Sequence, residues 1–322
     1  MNAQPRVSVA IPLYNEEQGV TELLRRVRSV LDALPGGPHE IVIVNDGSSD
    51  RTLELLEQEA TRDDRLLIVS LSRNFGHQAA LSAALDHVSG DVAVLMDGDL
   101  QDSPEAIPQF LQRYRDGYEV VYAIRERRDE PWWLRLCYFV FYRALARMSE
   151  VRLPLDAGDF GLMSSRVVAE LRRLPERHRY LRGLRAWAGF RQIGVALDRP
   201  QRLSGESKYS MVKLIGLAFD GLFSFSTVPL RAAILVGAFA IVASSAFALY
   251  SLYVRLMLHR SPQGFTALML VIVFLSGVNL FFLGVIGEYV GRVYEQVKAR
   301  PTYVIGRMIR KSAPTPPPGV RV

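Results

Sequence analysis

The chain has 322 residues, of which 49% are hydrophobic and 22% are charged. Its mean hydropathy of +0.10 is high for a soluble enzyme, whereas its charged fraction is too large for a protein embedded wholly in a membrane. The single cysteine, Cys137, excludes an intramolecular disulfide bond and a cysteine-rich metal site. A net charge of +6 favours anionic partners such as nucleotides, phosphates and acidic lipid headgroups.

Strand-forming and helix-forming segments alternate through the N-terminal third of the chain. The predicted strands are Val7–Leu13, Glu40–Val44, Leu66–Leu71 and Val92–Met96, and the predicted helices are Glu16–Leu34, Thr52–Thr61 and Gln78–Leu85. This alternation predicts a parallel α/β sheet in three layers with right-handed connections. Ligands of such sheets bind at the carboxyl ends of the strands, and acidic clusters follow the second and fourth predicted strands.

The C-terminal third contains two long apolar segments. Ala232–Tyr253 gives 22 residues and Phe265–Gly287 gives 23 residues without a basic or acidic side chain. Each exceeds the roughly 20 residues that a helix needs to cross a bilayer. The link between them is short, so the two spans are predicted to form a transmembrane hairpin; the alternative is a pair of buried helices in a soluble protein.

The distribution of basic residues predicts the orientation of this hairpin. Arg231 precedes it, whereas Arg255 and Arg260 lie near the turn. The basic residues that follow it include Arg292, Lys298, Arg300, Arg307, Arg310 and Lys311. The positive-inside rule therefore places both termini in the cytoplasm. Because Met1 to Arg6 is polar and resembles no signal peptide, we expect a multi-pass protein of the inner (plasma) membrane with a cytoplasmic catalytic domain.

Two further segments are predicted to be interfacial helices, with ordinary core helices as the alternative. They are Trp132–Met148, which mixes aromatic and arginine side chains, and Ser210–Val228, which is amphipathic. The predicted domain organisation is an enzyme domain over residues 1–209, a juxtamembrane segment over 210–230, the hairpin over 231–288 and a basic cytoplasmic tail over 289–322.

The acidic segment Asp97–Asp102 (DGDLQD) directly follows the fourth predicted strand. Carboxylates separated by one residue at a strand end can bind a divalent cation from one side and leave positions for two phosphates. Hard oxygen ligands favour Mg²⁺ or Mn²⁺, and such an ion stabilises a departing nucleoside diphosphate. The alternative is a solvated acidic turn.

The segment Val44–Asp50 (VNDGSSD) ends the second predicted strand. Asp46 can accept a hydrogen bond from a nucleobase or a ribose; alternatively, it forms an Asx turn that caps the next helix. Asp50 stands just before that helix and is interpreted as a capping residue.

These segments and others carry a resemblance to a known family. The order IPLYNEE (Ile11–Glu17), VNDGSSD, LSRNFGHQAAL (Leu71–Leu81) and DGDLQD resembles the inverting glycosyltransferases of the GT-A fold. GDFGLM (Gly158–Met163), GESKYS (Gly205–Ser210) and the segment Gly287–Tyr303 after the second span resemble one branch, the polyprenyl-phosphate glycosyltransferases. That branch includes dolichol-phosphate mannose synthases, bactoprenol glucosyltransferases and undecaprenyl-phosphate aminoarabinose transferases.

The resemblance implies roles for individual residues. The implied nucleotide pocket consists of Pro12, Tyr14, Glu16, Asp46 and Arg73, together with Asp97 and Asp99. The implied metal and diphosphate ligands are Asp97, Asp99 and Gln101. For Pro12 and Tyr14 the alternative is strand termination and core packing, and for Arg73 it is a surface arginine.

The resemblance also implies catalytic positions: Asp97, Asp159, Arg125 and Lys208. A phosphate monoester is already largely anionic at neutral pH, so Asp159 has three open roles: base, orientation of the acceptor, or binding of a donor-sugar hydroxyl. Arg125 and Lys208 are implied to lie near the phosphates, and the loop around Lys208 is expected to close over the donor. Lys208 could instead be a lysine at the membrane surface.

The predicted reaction is inverting transfer of a sugar from a nucleotide sugar, with UDP expected ahead of GDP, to undecaprenyl or another polyprenyl phosphate for cell-envelope glycan modification. Membrane lipid is an expected partner and nucleic acid is not, and the family resemblance implies a tetramer. The alternatives are a processive polysaccharide synthase and an inactive membrane scaffold. The synthase is disfavoured because Arg185-Ala186-Trp187 lacks the Gln-x-x-Arg-Trp pattern and only two spans are present.

Overall fold

The computed structural model describes residues 4–125, 157–177, 179–197, 228–257 and 264–311. They divide into two compact units. The first unit, called the α/β unit below, takes its described residues from 4–197 and 301–311, and the second, called the two-helix unit, takes its described residues from 228–300.

The α/β unit is built on one sheet of eight strands. The strands are β1 (Val7–Leu13), β2 (Glu40–Asn45), β3 (Leu66–Leu71), β4 (Val92–Leu95), β5 (Val120–Arg125), β6 (Ala157–Ser164), β7 (Gln192–Leu197) and β8 (Ile305–Arg310). Their spatial order is β7-β5-β6-β4-β1-β2-β3-β8. The predicted GT-A-type α/β architecture is confirmed.

The direction of the strands is only partly as predicted. β4, β1, β2 and β3 run parallel to one another, in agreement with the sequence prediction. The predicted parallel arrangement does not extend to the whole sheet, because β6 runs antiparallel to both β4 and β5, and β8 runs antiparallel to β3. The sheet is therefore mixed, with a parallel centre.

Strand β8 comes from the C-terminal segment for which the sequence predicted only a basic tail. It pairs along β3, with Met308 opposite Val69 and Ile309 opposite Ile68. Side-chain contacts join this segment to the rest of the unit: the Tyr303 hydroxyl donates to Asp86 at 2.8 Å, and Arg307 forms an ion pair with Glu57. The tail thus covers an edge of the sheet that would otherwise be open.

Helices cover both faces of the sheet. They are α1 (Val20–Asp32), α2 (Thr52–Ala60), α3 (His77–His87), α4 (Ile107–Arg115), α5 (Ser165–Arg173) and α6 (Leu181–Trp187). Within β1, Val9 and Ile11 pack in a core with α1, α2 and α4, while Ala10 packs in a second core with α3, α5 and α6. Alternate side chains of a strand point to opposite faces, which gives the predicted three layers.

The loops that follow β1 and β2 are tied together. The Asn15 amide donates to Ser48 Oγ at 3.0 Å, and the Ser49 amide donates to Asn15 Oδ1 at 2.8 Å. The Glu16 amide donates to Thr52 Oγ1 at 2.9 Å, so the chain after β1 turns toward α2. For this reason α1 begins at Val20, not at Glu16 as the apolar spacing predicted.

The two-helix unit contains α7 (Val228–Met257) and α8 (Phe265–Val297). Both are long and apolar enough to cross a membrane, over Ala232–Val254 and Val271–Val297. The two predicted apolar helices are therefore confirmed as helices, although α8 continues beyond Gly287. The predicted interfacial segments Trp132–Met148 and Ser210–Val228 lie outside the described residues, apart from Val228.

Candidate functional site

The site lies at the carboxyl edge of the parallel strands. β4 and β6 pair antiparallel with Leu95 opposite Gly161, so Asp97 and Asp159 both lie just beyond the pairing, at the same end of these strands. Asp46 follows the last residue of β2 at the same edge, because β1, β2 and β4 are parallel. Topology alone thus brings three distant aspartates to one side of the sheet.

The acidic segment after β4 folds back on itself. The Asp97 amide donates to Asp102 Oδ2 at 2.9 Å, and the Gln101 amide donates to Asp99 Oδ1 at 3.1 Å. Leu100 has a φ of 61°, a left-handed conformation that is uncommon for a leucine. The chain accepts this strain in a tight turn that is closed by hydrogen bonds to the carboxylates of Asp99 and Asp102. The segment is therefore a loop of defined conformation and not an open acidic turn.

The carboxylate of Asp97 is the least satisfied acid of this loop. Its Oδ1 is buried and has no hydrogen-bond partner among the described residues, and the nearest cation is His77 Nε2 at 3.5 Å. Burial raises the pKa of Asp97, and His77 opposes this effect while Asp159 and Asp99 add to it. A buried anionic oxygen without a donor is suited to a cation.

The described residues fit a divalent ion in part. Among them, no three His, Cys, Asp or Glu side chains form a metal cluster. The predicted ligand set has two carboxylates and the amide of Gln101, all hard oxygen donors of the kind that Mg²⁺ and Mn²⁺ prefer. An ion bound there would need its remaining ligands from a second molecule, as expected for a site that binds phosphates.

Asp159 is buried and is held by an arginine that the sequence analysis did not identify. Arg182 Nε donates to Asp159 Oδ1 at 2.8 Å, and Arg182 Nη2 donates to Asp159 Oδ2 at 2.9 Å. His77 Nε2 lies 3.7 Å from Asp159 Oδ2. Burial alone raises the pKa of Asp159, but His77 and Arg182 outweigh it and hold that pKa well below its usual range.

Arg185 lies one helical turn after Arg182 and supports the same segment of β6. Its Nη2 donates to the Gly158 carbonyl at 3.3 Å, and its guanidinium carbon lies 5.1 Å from the centre of the Tyr122 ring. Burial lowers the pKa of Arg185 to about 10. The guanidinium is therefore still charged at neutral pH.

A cavity of about 60 Å³ opens between the acidic loop and the start of β6. Both Asp97 and Asp159 line it, whereas His77 and Arg182 are not among its lining residues. The lining consists of Asp97, Gln101, Asp102, Ser103, Ala123, Ile124, Gly158, Asp159, Phe160 and Leu197. The lining thus combines carboxylate, amide and hydroxyl groups with apolar side chains.

Asp46 connects two loops of the predicted nucleotide pocket. It accepts hydrogen bonds from the Phe75 amide at 2.7 Å and from the Gly76 amide at 3.0 Å. Burial raises its pKa, and the two amides oppose that effect. These partners differ from the helix-capping contacts that the alternative interpretation required. Asp50, in contrast, lies one residue before the N-cap residue Arg51 and accepts from the amide of Thr52, the first residue of α2, at 3.0 Å.

The remaining predicted nucleotide residues lie on the loops around Asp46. Tyr14 and Glu16 follow β1, which contains Pro12, and Tyr14 is 45% exposed. Arg73 packs its guanidinium 4.0 Å from the centre of the Phe75 ring and donates to the Asn74 carbonyl at 2.9 Å. The side chain of Arg125 and all of Lys208 lie outside the described residues, although the backbone of Arg125 ends β5.

Three contacts at this site were missed by the sequence analysis: His77, Arg182 and the carboxylate of Asp102. His77 lies in a segment that was quoted only for its resemblance, and Asp102 ends the acidic segment, in which it was given no role of its own. A signal for Arg182 was present, since Arg182 and Arg185 are three residues apart in the otherwise apolar helix LRGLRAW. Such a pair places two cations on one face of a helix.

Comparison with known proteins identifies the family of the chain. The sequence pattern of glycosyl transferase family 2 matches residues 8–172. An uncharacterized glycosyltransferase of Synechocystis sp. is 43% identical over 93% of this chain and 94% of its own length. The bactoprenol glucosyl transferase encoded by the SfII prophage of Shigella flexneri is 36% identical over 95% of this chain and 99% of its own length.

Among solved structures, a mannosyltransferase from Pyrobaculum calidifontis in complex with GDP-Man and Mn²⁺ is 21% identical, with a TM-score of 0.46. The match covers 63% of this chain and 59% of that one. At the sequence level, the predicted resemblance to polyprenyl-phosphate glycosyltransferases is confirmed by the bactoprenol glucosyl transferases, which match over nearly the full length.

Proposed function

The chain belongs to glycosyl transferase family 2, and we propose that it transfers one sugar from a nucleoside diphosphate sugar to a polyprenyl phosphate. The observation that carries this proposal is the partnerless buried oxygen of Asp97 beside Asp159 in the cavity wall. The name of the bactoprenol glucosyl transferases, similar along almost the whole chain, supports the acceptor class. A UDP-sugar is the donor that we would test first.

Asp97, Asp99 and Gln101 are proposed to hold a divalent ion, Mg²⁺ or Mn²⁺. When bound, this ion would supply positive charge that stabilises the diphosphate leaving group. The fold of the loop supports the assignment, because hydrogen bonds from the Asp97 and Gln101 amides fix it before any ligand binds. A prearranged loop loses little entropy when its ligand arrives.

The proposed nucleotide pocket is formed by Pro12, Tyr14, Glu16, Asp46 and Arg73. The exposed ring of Tyr14 can stack on a base, and Asp46 fixes the loop that carries Phe75 and Gly76. Because both oxygens of Asp46 already accept hydrogen bonds from amides, its main contribution is to fix the positions of the two loops relative to each other. Any contact from Asp46 to base or ribose would use the lone pairs that remain.

We propose that the acceptor phosphate attacks the anomeric carbon directly, with inversion. A phosphate monoester is largely anionic at neutral pH and needs no proton acceptor. Asp159, whose pKa is held below its usual range, is a poor base. Its proposed role is to accept a hydrogen bond from a substrate hydroxyl, while Arg125 and Lys208 are proposed to offset the charge of the two phosphates.

The two-helix unit is proposed to anchor the enzyme in the plasma membrane, close to its lipid acceptor. The proposed orientation has both termini and the α/β unit in the cytoplasm, and the domain limits are those of the sequence analysis, with β8 added to the enzyme domain. The test replaces Cys137 by alanine and labels Ser261→Cys or Ser49→Cys in intact cells. We expect labelling from outside only at position 261, and the reverse pattern would contradict this orientation.

The proposed activity is tested with the purified full chain, undecaprenyl phosphate, Mg²⁺ or Mn²⁺, and a panel of UDP-sugars and GDP-mannose. We expect one donor to give a lipid product that carries a single sugar, with inverted anomeric configuration by NMR. A polymeric product would favour the processive synthase, and consumption of no donor would favour the scaffold. Product without added metal in excess EDTA would contradict the metal site.

A further inference from the structure

Two arginines of α6 converge on the start of β6. Arg182 forms a two-pronged ion pair with the Asp159 carboxylate, and Arg185 donates to the carbonyl of Gly158, the preceding residue. The side chain of Asp159 is only 4% exposed, and that of Arg182 is 30% exposed. A planar guanidinium with two parallel hydrogen bonds fixes both the position and the rotation of a carboxylate.

Helix α6 is itself held firmly in place. The Leu181 amide donates to Gln78 Oε1 at 3.0 Å, which ties the first residue of α6 to the first turn of α3. Leu181 and Leu184 are buried in the core that α3, α5 and the sheet share. Arg182 therefore projects from a helix that the core and the Gln78 hydrogen bond hold in place.

Asp159 lines the cavity, whereas Arg182 does not. The guanidinium of Arg182 thus contacts the carboxylate of Asp159 without being among the residues that line the cavity. His77, at the start of α3, stands 3.7 Å from Asp159 Oδ2 and 3.5 Å from Asp97 Oδ1, and does not line the cavity either. His77 thus lies close to both acids of the cavity lining, and Arg182 is bonded to one of them.

We propose that Arg182 is a positioning residue for sugar transfer, which fixes the carboxylate of Asp159 as a hydrogen-bond acceptor facing the cavity. This inference rests on the proposed function, and it adds a residue that neither the sequence motifs nor the comparisons assign. Arg182 acts through Asp159 and does not contact the substrate. Its loss should therefore slow the chemical step and change the affinity for the donor little.

The test is a double-mutant cycle on the full chain in detergent or vesicles. The variants are Arg182→Gln, Arg182→Lys, Asp159→Asn and the double variant Asp159→Asn/Arg182→Gln. Arg173→Gln is the matched control, because Arg173 is an exposed arginine on α5 whose one ion pair within the described ranges is with Glu170 on its own helix. For each variant, kcat and KM for the nucleotide sugar and the thermal midpoint are measured.

We expect Arg182→Gln to lower kcat by about 10- to 100-fold, the usual effect of losing a residue that orients a functional group. KM for the donor should stay within about threefold of wild type. Arg182→Lys should recover part of the rate, since lysine restores the positive charge but lacks the two parallel hydrogen bonds of the guanidinium. In the Asp159→Asn background, Arg182→Gln should add less than about threefold, because residues that act as a unit are not additive.

Two results would overturn the positioning role alone. The first is a normal kcat in Arg182→Gln. The second is a double variant whose loss of rate equals the product of the two single losses, because Arg182 would then act independently of Asp159. If Arg182→Gln does not fold because a buried carboxylate is left unpaired, the comparison of Asp159→Asn with the double variant, in which neither charge remains, decides the same question. A wild-type chain without transfer activity overturns the proposed function and this inference together.

Discussion

In the α/β unit Val9, Ile11 and Ile43 are completely buried, whereas in the two-helix unit Phe239 and Phe274 are 74% and 68% exposed. Both regions are rich in apolar side chains, but only the first provides a protein core for them. In the most apolar stretch of α7, 0% of the residues are buried, and in that of α8, 6% are buried. Such a surface is stable only where something other than water covers it.

The comparison shows what burial alone can tell about each unit. In the α/β unit, a buried polar atom without a partner is an exception that points to function, as at Asp97 Oδ1. In the two-helix unit, exposed apolar residues are the rule and point to the surroundings of the helices. Burial is therefore informative in opposite ways: a buried polar atom marks a candidate site in the α/β unit, and exposed apolar side chains indicate the surroundings of the two-helix unit.

The order of the elements along the chain does not follow the division into two units. β8 follows α8 in sequence, yet it completes the sheet of the α/β unit by pairing with β3. The chain thus leaves the α/β unit, passes through two long helices and returns. Both ends of the two-helix unit are thereby connected to one folded body.

The largest expected effect is that of Asp97→Asn on the α/β unit. We expect transfer to fall by at least about a hundredfold, because a charged ligand of the leaving group's site is lost. Since the pKa of Asp97 is raised, its ionised form costs stability at neutral pH, and the metal-free variant should unfold at the same or a higher temperature.

Thermal unfolding with and without Mn²⁺ plus UDP checks this prediction. Ligand should raise the midpoint of wild type and leave that of Asp97→Asn unchanged. The matched control is Asp116→Asn, because Asp116 is an exposed aspartate in the turn after α4. This variant should transfer sugar at the wild-type rate. Ligand stabilisation of Asp97→Asn equal to wild type would remove Asp97 from the site.

A smaller effect is expected from Ile309→Asp, which tests whether the C-terminal strand belongs to the α/β unit. Ile309 packs on its core, so a charge there should cost about 2–3 kcal/mol. Met308, its neighbour on the opposite face of β8, is 50% exposed, and Met308→Asp should cost no more than about 0.5 kcal/mol.

Tryptophan fluorescence suits this measurement when Trp132 and Trp133 are replaced by phenylalanine in every variant, because the signal then comes from Trp187 on α6 of the α/β unit. Equal midpoints for Ile309→Asp and Met308→Asp would show that β8 contributes nothing to the stability of the sheet.

The smallest effect is expected from one glycine in each unit. Gly47 has a φ of 64°, and a Cβ there would overlap the backbone of Arg73 and Asn74, so Gly47→Ala should cost about 1–2 kcal/mol. Gly284 of α8 has nothing within 4 Å of such a Cβ, and Gly284→Ala should be neutral or slightly stabilising. Thermal midpoints compare the two, and equal losses would contradict the difference between the units.

The parallel centre of the sheet could be predicted because its strands are short, buried on both faces and separated by amphipathic helices. Val7–Leu13 and Leu66–Leu71 were predicted with the bounds that the structure has. β6 and β8 were not predicted, because GDFGLM and IGRMIR lack an apolar run, and their pairing is set by contacts far away in sequence.

The acids of the candidate site were accessible from the sequence, since Asp46 and Asp97 each directly follow a buried strand. The pairing of these acids was not accessible. The spacing of Arg182 and Arg185 indicates a basic face of α6 but not the carboxylate that it contacts, because Arg182 reaches Asp159 from 23 residues away and His77 reaches it from the start of α3. A motif identifies the group that acts, whereas tertiary packing decides which residues orient it.

The most direct test of the central claim compares two acceptors that differ only in the phosphate. The full chain is reconstituted in vesicles with undecaprenyl phosphate or with undecaprenol, supplied with the active donor and Mg²⁺ or Mn²⁺, and the lipids are analysed by mass spectrometry. We predict a mass increase of one sugar on undecaprenyl phosphate and none on undecaprenol. Equal transfer to both lipids, or donor hydrolysis without any glycosylated lipid, would contradict the account.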